Sequence, residues 1–386
     1  MPRDFGSFVT DDDDYTNTGG QPVNKMVACA AFAACLCSLA LIPARAAEED
    51  DVDKLTRLYE EYEEHFAAIE RVEDIKEYGY SAIEGQIFPV VLESFGEEEV
   101  TFVPIIEDTY HRMAVLIADS DGNVLFKTNQ LETNYKWQGR LEQPNKGLAS
   151  VGFRDLNGDG LKDIILITNC QNDSGDYADR FYKVGDVLFQ REGSFYRDWR
   201  ISDKINRFSM NKNIRFIASY VRDGNSTEVL YTATTQTELV ENGFQIFQDQ
   251  HYYRSFEKQG GLWVVPGIIR IEEYNIFMIY LVNDQGYIVW SFQPMQDYDN
   301  LYALKGMRCT DLDGDGMKDI LVLARYSYAG PANELVVETR CNIYYQRTDG
   351  FVKDTEFEET YQCKDDTTVS GLVTLIREYW GWATEE

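Results

Sequence analysis

Two short stretches of the chain share an acidic pattern that could hold a metal ion. Residues 155–163 read DLNGDGLKD and residues 311–319 read DLDGDGMKD, so both follow the pattern D-x-[DN]-x-D-G-x-x-D. Oxygen-bearing side chains at positions 1, 3 and 5 of a tight loop converge on one point, and glycine at position 6 permits a sharp turn. A backbone carbonyl at position 7 and Asp at position 9 can complete an all-oxygen shell, which suits Ca²⁺ better than Mg²⁺. The sequence therefore predicts two calcium sites.

An EF-hand loop begins in the same way, but it does not fit the residues that follow. An EF-hand needs a bidentate Glu at position 12 and a helix after the loop. Position 12 is Leu166 in the first loop and Val322 in the second. Residues 164–168 and 320–324 are apolar and rich in β-branched side chains, which predicts buried strands. We therefore expect each loop to connect strands.

A strand, this acidic loop and a second apolar strand resemble the calcium loop of FG-GAP/VCBS repeats. Such repeats occur in the propellers of integrin α-subunits and in many exported bacterial proteins. The resemblance implies a propeller-like blade in which calcium stabilises a loop between adjacent strands. In the first loop it implies the ligands Asp155, Asn157, Asp159, the carbonyl of Leu161, and Asp163. In the second loop it implies the ligands Asp311, Asp313, Asp315, the carbonyl of Met317, and Asp319.

The ligand set also indicates what the ions would do. Each loop supplies nearly all of its own ligands, which leaves little open coordination for a substrate, so a bracing role is favoured over a catalytic one. The second loop offers four carboxylates against three in the first. We therefore predict tighter calcium binding at the second loop.

Two long segments of the chain match one another. The run 113–130 aligns with 277–294, each acidic loop aligns with the other, and 187–198 aligns with 343–354. Gln86-Ile87-Phe88 aligns with Gln245-Ile246-Phe247. This indicates an internal duplication, with repeat 1 at 83–224 and repeat 2 at 240–381.

The duplicated segments are typical of a mainly β protein. Short β-type runs separated by Gly, Asp and Asn turns predict about eight strands in each repeat. Each repeat closes with a predicted short helix, near Ile217 in the first and near Leu372 in the second. The two repeats could form propeller-like blades or two separate sandwiches. An acidic amphipathic helix is predicted over 47–79.

The N-terminal segment 1–46 is predicted to be a signal peptide or an N-terminal anchor. Residues 26–42 are apolar and uncharged, and Ala44-x-Ala46 has the pattern that signal peptidase cleaves. The expected location is secreted, cell-surface or periplasmic, with membrane attachment only through an uncleaved N-terminal segment.

After such cleavage four cysteines would remain: Cys170, Cys309, Cys341 and Cys363. They allow three disulfide pairings. Cys309 and Cys341 flank the same predicted strand region and are the favoured pair, with free buried cysteines as the alternative.

Composition narrows the function. The chain has 66 acidic and 36 basic residues and a net charge of −30. This charge repels a phosphate backbone, so nucleic-acid binding is not expected. No G-x-S-x-G, phosphate-loop, HExxH or CxxC motif is present.

An extracellular binding or adhesion module for a protein or glycan is favoured. The alternatives are a secreted carbohydrate-active enzyme and a passive cell-surface scaffold. Trp137, Trp199, Trp263 and Trp290 are candidates for stacking on sugars, although core packing accounts for most such residues.

Overall fold

The computed structural model describes residues 60–109, 111–134, 145–171, 181–295, 298–330 and 334–381. The predicted signal segment 1–46 lies outside the described residues. The chain divides into two compact units, one ending at Ala68 and the other beginning at Ile69. No helix within the described residues is both long and apolar enough to cross a membrane.

The helix predicted over 47–79 ends earlier than expected. Residues 60–68 are helical (α1), whereas residues 69–79 form a β-bridge, a short 3₁₀ helix and turns. Residues 69–79 belong to the second unit, and their backbone pairs with a hairpin of that same unit. Val72 N donates to Gly122 O at 2.9 Å, and Val124 N donates to Glu70 O at 2.8 Å. These interstrand bonds take groups that an α-helix would need for its own ladder.

Four antiparallel sheets, named A to D here, make up the second unit. Sheet A contains β1 (Tyr80–Ala82), β2 (Phe88–Val91), β3 (Glu99–Glu107), β4 (Met113–Ala118) and β5 (Val124–Thr128). Sheet B contains β6 (Asn145–Arg154), β7 (Asp163–Gln171), β8 (Phe181–Arg191) and β9 (Ser194–Arg197). Sheet C contains β10 (Gln245–Ile246), β11 (Tyr252–Phe256), β12 (Gly260–Ile271), β13 (Tyr274–Val282) and β14 (Ile288–Phe292). Sheet D contains β15 (Asn300–Thr310), β16 (Asp319–Ala329), β17 (Leu335–Arg347) and β18 (Gly350–Lys353).

Helices follow each four-stranded sheet. After sheet B come α2 (Trp199–Arg207), α3 (Ile214–Asp223), α4 (Val229–Thr232) and α5 (Gln236–Glu241). After sheet D come α6 (Glu356–Thr360) and α7 (Val369–Tyr379). The 3₁₀ helices are Val72–Asp74, Glu84–Gln86, Glu93–Phe95, Glu132–Asn134 and Gln248–Gln250. The two closing helices predicted from the sequence are therefore present as α3 and α7.

Strand order is the same in the two halves of this unit. Sheet A runs β1-β3-β4-β5 with β2 also on β3, and sheet C runs β10-β12-β13-β14 with β11 also on β12. Sheets B and D are simple four-stranded meanders, β6-β7-β8-β9 and β15-β16-β17-β18. Each half thus has nine described strands, where about eight were predicted.

The sheets pack in pairs, as two sandwiches. Phe102 and Ile117 of sheet A share a core with Ile164 and Leu188 of sheet B. Sheets C and D share a second core in the same way. The other faces of sheets B and D are covered by α2 and α3, and by α6 and α7. These helices occupy the faces on which a further sheet would have to stack, so the propeller-like arrangement implied by the family resemblance is not what the packing shows.

The apolar runs after the acidic loops are buried on both faces. Along β7, Ile164 and Leu166 point into the sandwich, whereas Ile165 and Ile167 point at the helices. Side chains of a strand alternate between faces, so a strand covered on both sides must be apolar at every position. The predicted buried strands after both loops are confirmed.

One segment of the predicted repeat alignment is shifted. Ile83 N donates to Pro104 O, and Phe247 N donates to the corresponding Pro266 O. Ile83 is therefore the structural counterpart of Phe247, and Ser81-Ala82-Ile83 rather than Gln86-Ile87-Phe88 corresponds to residues 245–247. All three residues are identical in the sequence match, but hydrogen bonding to the central strand sets the register. Strand β1 also begins at Tyr80, before the predicted boundary at 83.

The favoured disulfide, Cys309 with Cys341, does not fit the fold. Both β15 and β17 pair with β16, so the two cysteines lie two strands apart, which places their Cα atoms at least about 10 Å from each other. A disulfide needs Cα atoms within about 7 Å. Their side chains also face opposite sides of sheet D, since Cys309 packs in the sandwich and Cys341 packs under the helices.

Candidate metal centre

Each acidic loop connects two neighbouring antiparallel strands. Residues 155–162 join β6 to β7, and residues 311–318 join β15 to β16. Gly160 has φ +85° and Gly316 has φ +81°, a left-handed conformation that favours glycine. The sharp turn predicted at position 6 is present in both loops.

The first Asp of each loop folds the loop around itself. The two carboxylate oxygens of Asp311 accept hydrogen bonds from Gly314 N at 2.8 Å and from Gly316 N at 2.9 Å. Asp155 accepts from the equivalent amides, Gly158 N at 2.7 Å and Gly160 N at 3.0 Å. In both loops these bonds hold the carboxylate of position 1 over the turn.

In the second loop three of the predicted ligands come together. Oxygen atoms of Asp311, Asp313 and Asp315 all lie within 4.8 Å of one another. Carboxylates this close repel one another unless a cation or a proton neutralises them. An all-oxygen donor set of this kind matches a hard cation such as Ca²⁺, so the residues present fit the implied ion.

The first loop has an amide at the third position. Asn157 Oδ1 accepts from Asp159 N at 3.1 Å, and Asn157 Nδ2 donates to Asp159 Oδ2 at 3.0 Å. Asp159 Oδ1 also accepts from Leu161 N at 2.8 Å, as Asp315 Oδ1 does from Met317 N. The loop therefore has the same fold as its counterpart, with one negative charge fewer.

The ninth residue of each loop has a different role from the first three. Asp319 opens β16, is fully buried, and accepts hydrogen bonds from Leu312 N at 2.7 Å and Gln346 N at 2.8 Å. It does not belong to the cluster formed by positions 1, 3 and 5. Asp163 makes the equivalent bonds to Leu156 N and Gln190 N, both at 2.9 Å. Each carboxylate thus connects the start of its loop to the neighbouring strand, β8 in the first half and β17 in the second. Each of its oxygens keeps one lone pair that makes none of these hydrogen bonds.

Burial controls the charge of these carboxyl groups in the ion-free protein. Burial raises the pKa of Asp319 to about 7, against the hydrogen bonds from Leu312 and Gln346, and the nearby Asp313 adds to the rise. Burial also raises the pKa of Asp163 and of Asp315. A bound cation would stabilise the ionised forms.

An arginine acts as an internal counter-ion to the second loop. Arg347, at the end of β17, donates to Asp313 Oδ2 at 2.7 Å and to Asp315 Oδ2 at 3.0 Å. Arg191 occupies the matching position at the end of β8, and among the described residues no ion pair joins it to the first loop. The extra carboxylate of the second loop is thus accompanied by a positive charge.

Sequence reasoning missed the residues that attach the loops to the facing sheet. Gln346 Nε2 donates to Lys318 O at 3.0 Å, and Gln346 Oε1 accepts from Lys258 N at 2.8 Å. Lys318 N donates to Glu257 Oε2 at 2.8 Å, and the Lys318 ammonium pairs with the same carboxylate. Although burial alone would raise it, these hydrogen bonds lower the pKa of Glu257 to about 2.

The same attachment is repeated in the first half. Gln190 Nε2 donates to Lys162 O at 2.6 Å, Gln190 Oε1 accepts from Ser94 N at 2.7 Å, and Lys162 pairs with Glu93. The signal was present in the sequence match, since lysine stands at position 8 of both loops and glutamine recurs in the runs 187–198 and 343–354.

The second loop is also fixed to the helical layer. Leu312 packs among the buried residues beneath α6 and α7, and Arg377 Nη2 of α7 donates to Asp311 O at 2.8 Å. The loop therefore contacts sheet D, sheet C and α7 at once.

No protein-family model and no curated protein sequence matches the chain. Two solved structures that align with it are rhamnogalacturonan lyases. The exotype rhamnogalacturonan lyase YesX is 12% identical, with a TM-score of 0.21, over 70% of this chain and 48% of that chain. The Bacillus licheniformis rhamnogalacturonan lyase PL11 is 11% identical, with a TM-score of 0.21, over 71% of this chain and 50% of that chain. The chain thus spans about half the length of each, and a TM-score of 0.21 assigns neither a fold nor an activity.

Proposed function

We propose that the chain is an exported calcium-binding protein that acts outside the cytoplasm as a binding or adhesion module for a protein or glycan. In this proposal it is secreted, displayed on the cell surface or periplasmic. The observation that carries the calcium part is the cluster of Asp311, Asp313 and Asp315, whose oxygens lie within 4.8 Å of one another.

The role of the ions is to brace the fold. A cation at the second loop would neutralise carboxylates on a segment that contacts both sheets of the sandwich and α7. Nearly all of the proposed ligands come from one short loop, so few coordination positions of the ion remain open for a substrate. The first loop has the same hydrogen bonds and is proposed to hold a second ion.

Calorimetric titration of Ca²⁺ into the chelator-treated full chain tests the proposal. We expect two bound ions in the native chain and one after either Asp155→Ala or Asp311→Ala. Asp119→Ala is a matched control, since Asp119 also accepts turn amides, from Asp121 N and Asn123 N, but lies outside both loops. No calcium heat in the native chain, or two ions still bound when both loops are substituted, would refute it.

An exposed aromatic pair on sheet C is the proposed contact surface for a glycan. Tyr253 and Trp263 pair across β11 and β12, are 42% and 37% exposed, and have ring centroids 5.4 Å apart. His251 lies against Trp263 at 4.9 Å. A side chain at Gly261 would place its Cβ 1.8 Å from the Tyr253 hydroxyl, so glycine keeps room for the ring.

The fold itself does not need this pair. At the equivalent place on sheet A, Pro89 pairs with Thr101 in the same register. The first sandwich therefore forms without aromatic side chains there, and tyrosine and tryptophan are enriched among the residues that dominate binding energy.

Glycan-array binding of the native chain and of Trp263→Ala tests this surface. We expect binding that falls at least about tenfold in Trp263→Ala and is unchanged in Trp199→Ala, since Trp199 is a 62% exposed tryptophan on α2. Loss of binding in both variants, or in neither, would refute the assignment. Conversion of a bound glycan to products would favour the carbohydrate-active enzyme, and no ligand on glycan and protein arrays would favour the passive scaffold.

A further inference from the structure

We propose that Cys341 and Cys363 are a reactive thiol pair that forms an intramolecular disulfide between sheet D and the segment joining α6 to α7. This pair takes the place of the pair predicted from the sequence, Cys309 and Cys341. The proposal is independent of the calcium sites and of the glycan surface.

The two cysteines belong to the same buried cluster in the fold. Cys341 lies in the middle of β17, is only 3% exposed and faces the helical layer. Cys363 follows α6 and packs against the same cluster of buried side chains. Cys341 stands two residues after Thr339 on β17 and Cys363 stands two residues before Asp365, so the hydrogen bond between Thr339 and Asp365 brings the two cysteines to the same place. Both cysteines are free thiols in this structure.

Contacts that involve no sulfur hold the segment in place. Thr339 Oγ1 donates to Asp365 Oδ1 at 2.9 Å, from a position two residues before Cys341 on the same strand. Lys305 Nζ of β15 donates to Asp365 O at 2.5 Å and to Thr367 O at 2.9 Å. The segment that carries Cys363 is therefore positioned against the sheet before any disulfide exists.

The two thiols differ in access and in acidity. Cys363 lines an open cavity of about 290 Å³ together with Arg340 and Gln362. The hydrogen bond from Cys341 lowers the pKa of the Cys363 thiol, with help from the positive charges of Arg340 and Lys305 and against its burial. The same hydrogen bond, with burial, raises the pKa of Cys341. An accessible thiol of lowered pKa beside a buried thiol of raised pKa is the arrangement of an attacking and a resolving cysteine.

The reaction needs a disulfide oxidant such as oxidised glutathione. The Cys363 thiolate attacks one sulfur of the oxidant, forms a mixed disulfide and releases the other half as a thiolate, which takes up a proton. Cys341 then loses its proton and attacks the Cys363 sulfur, which releases the second half of the oxidant. Two protein thiols are oxidised to one disulfide, and one disulfide of the oxidant is reduced to two thiols.

Oxidised glutathione, alkylation and unreduced peptide mass mapping of the full chain provide the test. We expect one cross-linked peptide pair containing Cys341 and Cys363, and a melting temperature several degrees higher than in the reduced chain. Cys341→Ser should instead accumulate a glutathione adduct on Cys363, because the resolving thiol is missing. Cys309→Ser is the matched control and should still form the cross-link.

Three outcomes would overturn the proposal. These are alkylation of both thiols at excess oxidant, a cross-link from either cysteine to Cys170 or Cys309, and an adduct on Cys341 rather than Cys363 in the native chain. Circular dichroism of each variant shows whether it is folded, and mapping of the native chain decides the pairing without any substitution.

Discussion

At the scale of single residues, the ninth position of each loop joins the acidic turn to the sheet. Asp319 is buried and bonded to two backbone amides, while the first, third and fifth positions form the oxygen cluster. A carboxylate that accepts hydrogen bonds from two backbone amides holds the local backbone in place. Asp319 therefore contributes to the fold, and the oxygen cluster consists of the other three positions.

The charge of Asp319 predicts a pH dependence in the calcium-free protein. Its folded pKa of about 7 exceeds the unfolded value of about 4. Its contribution to stability is therefore complete below about pH 4 and is lost as the pH rises through 7. We expect Asp319 to lower the free energy of unfolding in chelator by up to about 1.4 kcal/mol per pH unit between roughly pH 4.5 and 7.

Urea denaturation in chelator at several pH values measures this slope. In Asp319→Asn the free energy of unfolding should change less steeply with pH than in the native chain. The difference should be up to about 1.4 kcal/mol per pH unit, the effect of one proton. Glu257 is present in both proteins, so its effect on the slope cancels in the comparison. Equal slopes for the two proteins would contradict the buried, protonatable Asp319.

Arg347 should weaken ion binding at the second loop. It pairs with Asp313 and Asp315, so an incoming cation must compete with the guanidinium for the same oxygens. Because the arginine is 37% exposed, solvent reduces the effect, and Arg347→Gln should strengthen calcium binding by up to about fivefold. Calorimetry on Arg347→Gln and on the matched Arg191→Gln checks this; an equal change at both loops would contradict it.

The residue types of the site could be predicted from the sequence, but their partners could not. The pattern of Asp and Gly within nine residues specifies the turn locally, and the structure contains that turn twice. Arg347, Gln346 and Glu257 reach the second loop from distant strands, so only the tertiary fold brings them there. Tighter calcium binding at the second loop stays a prediction, and the positive charge of Arg347 beside that loop opposes it.

At the scale of elements, a glutamine joins each acidic loop to the facing sheet. Gln346 is fully buried and bonds to Lys258 N and Lys318 O, groups of two different sheets. Gln346→Leu would leave both part-buried backbone groups without that partner, at a cost of about 1–3 kcal/mol. Gln190→Leu should cost a similar amount, since it makes the same bonds in the first sandwich.

Denaturant unfolding of these variants measures the cost. Gln285→Leu is the control, because Gln285 is an exposed turn residue whose replacement should change the free energy of unfolding by less than about 0.5 kcal/mol. Native-like stability of Gln346→Leu would show that the loop does not depend on sheet C.

The sequence predicts strand and helix identity in this chain better than register. Apolar runs after both loops and amphipathic patterns at α3 and α7 identify those elements. The alignment of Gln86 with Gln245 is wrong because similarity over three residues carries less information than the bonds of Ile83 and Phe247 to the central strand.

At the scale of the whole molecule, two sandwiches with the same strand order have different exposed surfaces. The same strand order, loops and helical layers recur in both sandwiches. The aromatic pair Tyr253 and Trp263 of sheet C, however, corresponds in position to Pro89 and Thr101 of sheet A. The choice between blades and sandwiches could not be made from periodicity, because it depends on what covers the second face of sheets B and D. In this fold helices cover it, and the acidic loops lie where the sandwich and helices meet.

The most direct test of the central claim is the thermal melt of the chelator-treated full chain with and without millimolar calcium. We predict a higher melting temperature with calcium, since an ion at a thousandfold excess over its dissociation constant stabilises by about 4 kcal/mol per site. The response should be lost when Asp155→Ala and Asp311→Ala are combined. Superimposable melts of the native chain with and without calcium would contradict the account.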